Sequence, residues 1–281
     1  MLPLEDLARR LGGTLVGHRP LAGGVSSRVT ALDLAMPDGA TRRLVVREPG
    51  AAASEPPGAS SARSEHDLLL YLRRAGLPVP APVLLVDEPP CFVMERVEGT
   101  HALPPDGVAQ MAAMLARLHA VSVEDAPFLP DREDPIERLP ALLGHEHDAL
   151  RARLAQRPPT QPPSRTLLHG DYWPGNILWR DRAIVALLDW EDAAIGDPLS
   201  DVACCRLELR YVLGSSAAAA FTRHYVQCTR RPLDGLPLWD AYVAAAALAF
   251  MGQWGLPAER EAHMRREAAA SLADAASQLL G

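Results

Sequence analysis

The order in which hydrophobic patterns follow one another limits most strongly what this chain of 281 residues can fold into. Leu15 to Leu21 reads as a strand, and Val25 to Leu34 as a second, after Ala22-Gly23-Gly24. Asp38-Gly39 marks a tight hairpin turn, and Arg42 to Arg47 follows as a third strand around Leu44, Val45 and Val46. Gly50 to Ser60, rich in Ala, Pro, Ser and Gly, reads as a mobile loop. The spacing then predicts one helix from Ser61 to Ala75, with Leu68, Leu69 and Leu72 inward and Gly76 ending it. Val83 to Val86 and Cys91 to Val97 form a second hairpin around Asp87-Glu88-Pro89-Pro90. From Pro104 the pattern changes period. Val108, Met111, Ala112, Leu115 and Leu118 lie on one face of a helix, and Ser200 to Gly281 is helical again, interrupted at Gly214, at Pro232 to Pro237 and at Gly255. The expected class is α+β: five antiparallel strands with a single helix in a small lobe, residues 1–98, then a larger helical lobe, residues 99–281. Ala126 to Arg165, Pro-rich and charged, shows only helical patches.

Composition removes several function classes. All 28 basic residues are arginine and none is lysine, so neither a Walker-type phosphate loop nor a Schiff-base enzyme is possible. A net charge of −7 argues against nucleic acid or an anionic membrane as partner. Cys91, Cys204, Cys205 and Cys228 have neither CxxC pairing nor zinc spacing, which predicts buried free thiols in a reducing compartment. The opening MLPLEDLARRLGG carries charges where a signal peptide needs an apolar core. The longest apolar run, Ala241 to Met251, is too short for about 30 Å of hydrocarbon. A cytoplasmic protein is expected.

The chemistry concentrates in Leu168-His169-Gly170-Asp171-Tyr172-Trp173-Pro174-Gly175-Asn176 and in Leu187-Leu188-Asp189-Trp190-Glu191. An Asp followed five residues later by an Asn is the spacing of a phosphotransfer catalytic loop. A carboxylate can orient a hydroxyl and accept its proton, while a neutral amide oxygen ligates Mg²⁺ without adding charge beside a triphosphate. Asp171 fits the first role, Asn176 the second, and Asp189 that of main Mg²⁺ ligand. Arg180-Asp181-Arg182 suits a hairpin turn bringing Asn176 and Asp189 together.

His169-Gly-Asp171-x4-Asn176, then Leu188-Asp189-Trp190-Glu191 and Gly196-Asp197-Pro198-x2-Asp201, resembles the aminoglycoside phosphotransferase family, whose members share a bilobal protein-kinase-like fold. The likeness covers the whole chain. It implies ATP or GTP and Mg²⁺ as cofactors, a small-molecule hydroxyl acceptor, Asp171 as catalytic base, His169 bracing the loop, and Asn176 and Asp189 as metal ligands. By the same resemblance Gly23-Gly24-Val25-Ser26-Ser27 is a nucleotide loop, with Gly24, Ser26 and Ser27 approaching phosphates, although it departs from GxGxxG. Glu95 and Val97 would read adenine, and Glu65 would partner the basic residue of the third strand. That residue is Arg47, where kinases carry Lys; its planar fork allows bidentate contact with phosphate. Asp197 and Asp201 are explained as well by capping and structural pairing.

Other residues take plain readings. His119 is a helix-end residue, His145-Glu146-His147 a solvated face, Cys204-Cys205 core, and Trp239, Tyr242, Phe250 and Trp254 packing of the helical lobe. The first lobe holds 11 Arg and 12 acids and the remainder 17 Arg and 23 acids, so the charge divides as −1 and −6 at residue 101. The excess mildly favours a cationic acceptor, an aminoglycoside or an amino alcohol. The alternative function is a non-catalytic nucleotide-binding module acting through protein partners, which the missing Lys supports.

Overall fold

The computed structural model describes residues 3–21, 27–49, 62–124, 126, 128–156 and 165–281. Their contacts divide into two compact units, residues 1–102 with 177–192, and residues 103–176 with 193–281.

In the first unit, strands β1 (Thr14–Pro20), β2 (Ser27–Ala35), β3 (Thr41–Pro49), β4 (Pro82–Val86) and β5 (Cys91–Glu95) form one antiparallel sheet in the order β1-β2-β3-β5-β4. The β2–β3 turn closes as Asp38-Gly39 dictates: Gly39 sits at φ 84°, a value that favours glycine, and Asp38 accepts from the N–H of Ala40 at 2.9 Å. Helix α2 (Ala62–Arg74) buries Leu68, Leu69 and Leu72, the expected face.

One expectation is corrected. The charged start of the chain folds as a further helix, α1 (Leu4–Arg10), so α2 does not stand alone in this unit. Leu7 and Ala8 join Leu32, Leu34, Leu44, Val46, Val86, Cys91 and Val93 in one core, with Leu4 and Leu11 packed against it. Because strand side chains alternate, Leu44 and Val46 turn toward that core while Val45 and Arg47 face the other side of the sheet.

A second hairpin belongs to this unit although it follows the catalytic-loop sequence: β7 (Ile177–Arg180) pairs with β8 (Ala183–Leu187). Asp181 and Arg182, φ 51° and 63°, make the two-residue turn with the handedness hairpins prefer. Trp179 exchanges backbone hydrogen bonds with Thr100, 2.8 and 2.9 Å, and the Leu187 N–H reaches Pro78 at 2.7 Å. These bonds fasten the hairpin and set the position of Asp189.

The second unit is mostly helical. It comprises α3 (Gly107–Leu118), α4 (Pro135–Leu142), α5 (Asp148–Leu154), α6 (Leu199–Leu213), α7 (Ser215–Thr229), α8 (Leu236–Phe250) and α9 (Ala258–Leu280). A two-stranded ribbon, β6 (Thr166–Leu168) against β9 (Ala194–Gly196), accompanies them. Leu139, Leu143, Leu150, Leu154, Leu238, Ala241, Ala245, Leu272 and Leu279 form the core where α4, α5, α8 and α9 meet, which accounts for the helical patches of the Pro-rich stretch. Gly214, φ 85°, lets α6 end and α7 begin. Among the described residues no helix is long and apolar enough to cross a membrane.

Candidate active site

Arg47 organises the candidate site residues of the first unit. Its side chain is buried and meets three carboxylates: Nε lies 2.9 Å from Glu65 Oε2 on α2, while Nη2 donates to Asp189 Oδ1 at 2.8 Å and to Glu191 Oε2 at 2.6 Å. Burial opposes the guanidinium charge, but the three carboxylates hold its pKa above the ordinary value. Glu65 carries the cost: burial, with Asp189 and Glu191 adding to it, pushes its pKa up to about 7 despite the ion pair. Asp189 itself lies at φ 61°, a backbone state that Asp adopts more readily than most residues. Glu191 also accepts from the Ser27 hydroxyl at 3.1 Å, so one carboxylate joins the start of β2 to Arg47.

In the second unit, β6 delivers the chain directly into His169-Gly170-Asp171. Gly170 turns there at φ 84°. Asp201, near the start of α6, lies beneath this turn and accepts the backbone N–H groups of His169 (2.8 Å) and Gly170 (2.9 Å). His119, at the end of α3, presents Nε2 to the same carboxylate at 3.2 Å and Nδ1 to the Tyr225 hydroxyl at 2.8 Å. Burial alone would raise the Asp201 pKa, yet hydrogen bonds and positive potential from His119 and His169 keep it below the usual range. The loop is thus held by an ionised buried carboxylate. Asp171 is engaged at both oxygens: Asn176 Nδ2 donates to Oδ2 at 2.8 Å and to the Asp171 carbonyl at 2.9 Å, and the Cys204 thiol lies 4.0 Å from Oδ1. Tyr172 fixes the next residue by donating to the Met111 carbonyl at 2.9 Å.

The other residues singled out from sequence divide by environment. Gly24 and Ser26 lie outside the described residues, as do Val25 and the stretch Gly50 to Ser60. Glu95 ends β5; its N–H goes to Ala81 at 2.8 Å and its carboxylate to Arg42 at 2.6 Å. Val97 lies just past that strand. Asp197 is a structural residue, accepting from the Leu199 N–H and the Trp239 indole, each at 2.9 Å. Among the described residues no group of three or more His, Cys, Asp or Glu is arranged to hold a metal ion. Two plain readings are corrected. Phe250 and Trp254 are exposed rather than packed, because they fall at the end of α8 and beyond it. Cys228 is exposed on α7, and Cys204 is half-buried.

Three residues were not marked as site residues. Glu191 could be suspected only from its place two residues after Asp189. Asp201 has the signal of the Gly196-Asp197-Pro198 run, which did not separate bracing from capping. Glu208 has none. It stands one helical turn after Cys204 on α6, and burial with the Asp171 charge pushes its pKa up to about 8.

The family model described as "Phosphotransferase enzyme family" matches residues 17–242. A macrolide 2'-phosphotransferase from Brachybacterium faecium superposes with a TM-score of 0.65 at 26% identity, covering 96% of this chain and 97% of that one. Aminoglycoside 2'-phosphotransferase-IIIa, solved as its GDP complex, gives a TM-score of 0.68 at 19% identity over 96% and 97% of the two chains. Among curated proteins, acyl-CoA dehydrogenase family member 11 of Gallus gallus is 27% identical over 177 residues, 52% of this chain and 23% of that protein. The match therefore spans about a quarter of that relative's length.

Proposed function

We propose the following reaction for this chain, which belongs to the phosphotransferase enzyme family: transfer of the γ-phosphoryl group of ATP or GTP to a hydroxyl of a small molecule. The observation that carries the reading is the state of Asp171. Its carboxylate is oriented by Asn176, in a loop whose backbone is gripped from below by ionised Asp201. A base held in this way needs no reorganisation before it aligns an acceptor hydroxyl and takes its proton.

Asn176 and Asp189 supply hard oxygen donors, one neutral and one anionic, which suits Mg²⁺ accompanying a triphosphate. When bound, the cation offsets the charge on the phosphate oxygens. Arg47 serves the α- and β-phosphates, kept in place by its ion pair with Glu65. Ser27, with Gly24 and Ser26, approaches the phosphates, while the backbone of Glu95 and Val97 reads the base. Residues 1–98 are the nucleotide lobe and 99–281 the catalytic and acceptor lobe.

The acceptor is a small molecule that carries a hydroxyl. The names of the similar solved structures put macrolides and aminoglycosides into the panel, beside amino alcohols and sugars. ADP or GDP release that depends on one of these acceptors is expected, with Asp171→Ala abolishing transfer while nucleotide binding survives. Near-wild-type turnover in that variant refutes the role given to Asp171. Magnesium-dependent nucleotide binding with no turnover on any acceptor selects the non-catalytic module instead.

A further inference from the structure

Glu191 places a single carboxylate oxygen, Oε2, against two donors: Arg47 Nη2 at 2.6 Å and the Ser27 hydroxyl at 3.1 Å. Sheet register brings those donors together. Arg47 on β3 stands opposite Val29 on β2, and Ser27, two residues before Val29, lies on the same face as its diagonal neighbour. Arg47 and Ser27 are also the groups that the proposed reaction gives to the nucleotide's phosphates. A guanidinium N–H and a hydroxyl converging on one anionic oxygen suit a phosphate oxygen as well as a carboxylate oxygen. Glu191 Oε2 is thus seated as a phosphate oxygen would be.

Of the three carboxylates around Arg47, Glu191 is the one built to leave. Its side chain is the most exposed, 30% against 22% for Asp189 and 7% for Glu65. It is a methylene longer than Asp189, so side-chain rotation alone swings its carboxylate into water. Its departure does not strand the buried guanidinium, which keeps Glu65 on Nε and Asp189 on Nη2. With Glu191 in place, one guanidinium faces three carboxylates, an excess of negative charge that phosphate must meet. The kinase signature has glycine two residues after its metal-binding aspartate and offers no such side chain. Here Asp189-Trp190-Glu191 does.

We propose that Glu191 is an internal competitor of the nucleotide: its carboxylate fills the Arg47–Ser27 anion site in the protein without nucleotide and is displaced by a phosphate group on binding. This role rests on the reading of Arg47 and Ser27 as phosphate contacts. A phosphate, more highly charged and matched to the guanidinium fork, displaces the carboxylate. A ligand without phosphate leaves it seated.

The test compares ATP with adenosine, which lacks the phosphates. Binding to the full chain is measured by isothermal titration calorimetry in EDTA, so that loss of a metal ligand cannot enter the comparison. Glu191→Gln keeps the shape of the side chain and removes its charge. It should bind ATP about 10-fold more tightly than wild type, the size of one charge-assisted hydrogen bond no longer contested. Adenosine should bind both proteins alike. A gain in affinity cannot come from misfolding. The substitution is then repeated on the Arg47→Met, Glu65→Leu background, where the anion site has lost its arginine, and there it should add little. A gain of the same size on that background means that Glu191 only repels phosphate through space, and overturns the proposal. So does an E191Q variant that binds ATP no more tightly than wild type, or that gains as much for adenosine. An Arg47→Met, Glu65→Leu protein that binds ATP like wild type instead removes Arg47 as a phosphate contact, and the competitor role with it.

Discussion

Asn176 turns its side-chain amide onto Asp171, with Nδ2 2.8 Å from the carboxylate Oδ2 and 2.9 Å from the main-chain carbonyl. Both amide hydrogens are spent on one residue, so the amide oxygen is directed away from it and stays available to a cation. The five-residue spacing therefore links two tasks in one side chain. Asn176→Ala should lower kcat about 10- to 100-fold, the usual cost of losing a group that orients a metal or its ligands. It should also raise the Mg²⁺ concentration needed for half-maximal turnover, read by ADP release across a magnesium titration. Removal of the divalent cation with EDTA should stop transfer, and added Mg²⁺ should restore it.

Asp201 should matter as much to stability as to rate. Asp201→Ala leaves two buried backbone N–H groups without their acceptor, at about 1–3 kcal/mol each. A urea midpoint well below wild type is expected. Amide hydrogen exchange at His169 and Gly170 should quicken more than at α8, which Asp201 does not touch.

Arg47 separates structural pairing from phosphate contact. Arg47→Met strands the buried Glu65 carboxylate and should destabilise the protein by about 3–5 kcal/mol. Arg47→Met with Glu65→Leu should recover most of that stability while nucleotide affinity stays low. If the double variant also binds nucleotide like wild type, the arginine is only an ion-pair partner of the sheet.

Glu208 gives a pH dependence of definite sign. Its folded pKa of about 8 lies above the ordinary 4.5, so the folded state holds the proton more tightly than the unfolded chain. Its contribution to stability is complete below about pH 4.5 and is lost as pH rises toward 8. Glu208→Gln imitates the protonated form. It should melt like wild type at pH 4.5 and above it at pH 9, by on the order of 2–4 kcal/mol after allowance for partial exposure. Equal melting temperatures at both pH values would show that Glu208 is solvated.

Much of the molecule was legible without coordinates because its signals are local. Strand and helix periods, the Asp38-Gly39 turn and the Gly214 break each depend on a few neighbouring residues, and each formed where its chemistry required. The Asp171 to Asn176 spacing is local too, since both lie within one tight loop. Helix α1 was missed because Leu4, Leu7, Ala8 and Leu11 make too short a stripe to signal a helix. Most of such a helix's stability comes from tertiary packing, here against Leu32, Leu34 and Val46.

Sequence alone determined the element order, the phosphotransfer signature and the exclusion of every lysine-dependent chemistry. The tertiary structure decided which acids Arg47 gathers, since Glu65, Asp189 and Glu191 meet it through α2, β3 and the β7–β8 hairpin. It also decided that Asp201 braces the loop, whereas Asp197, four residues earlier, only caps and packs. Finally, it set Glu208 on the face of α6 that borders Asp171. Charge and hydrogen bonding act over a few ångströms in space, and a linear pattern records such proximity only when the partners are close along the chain.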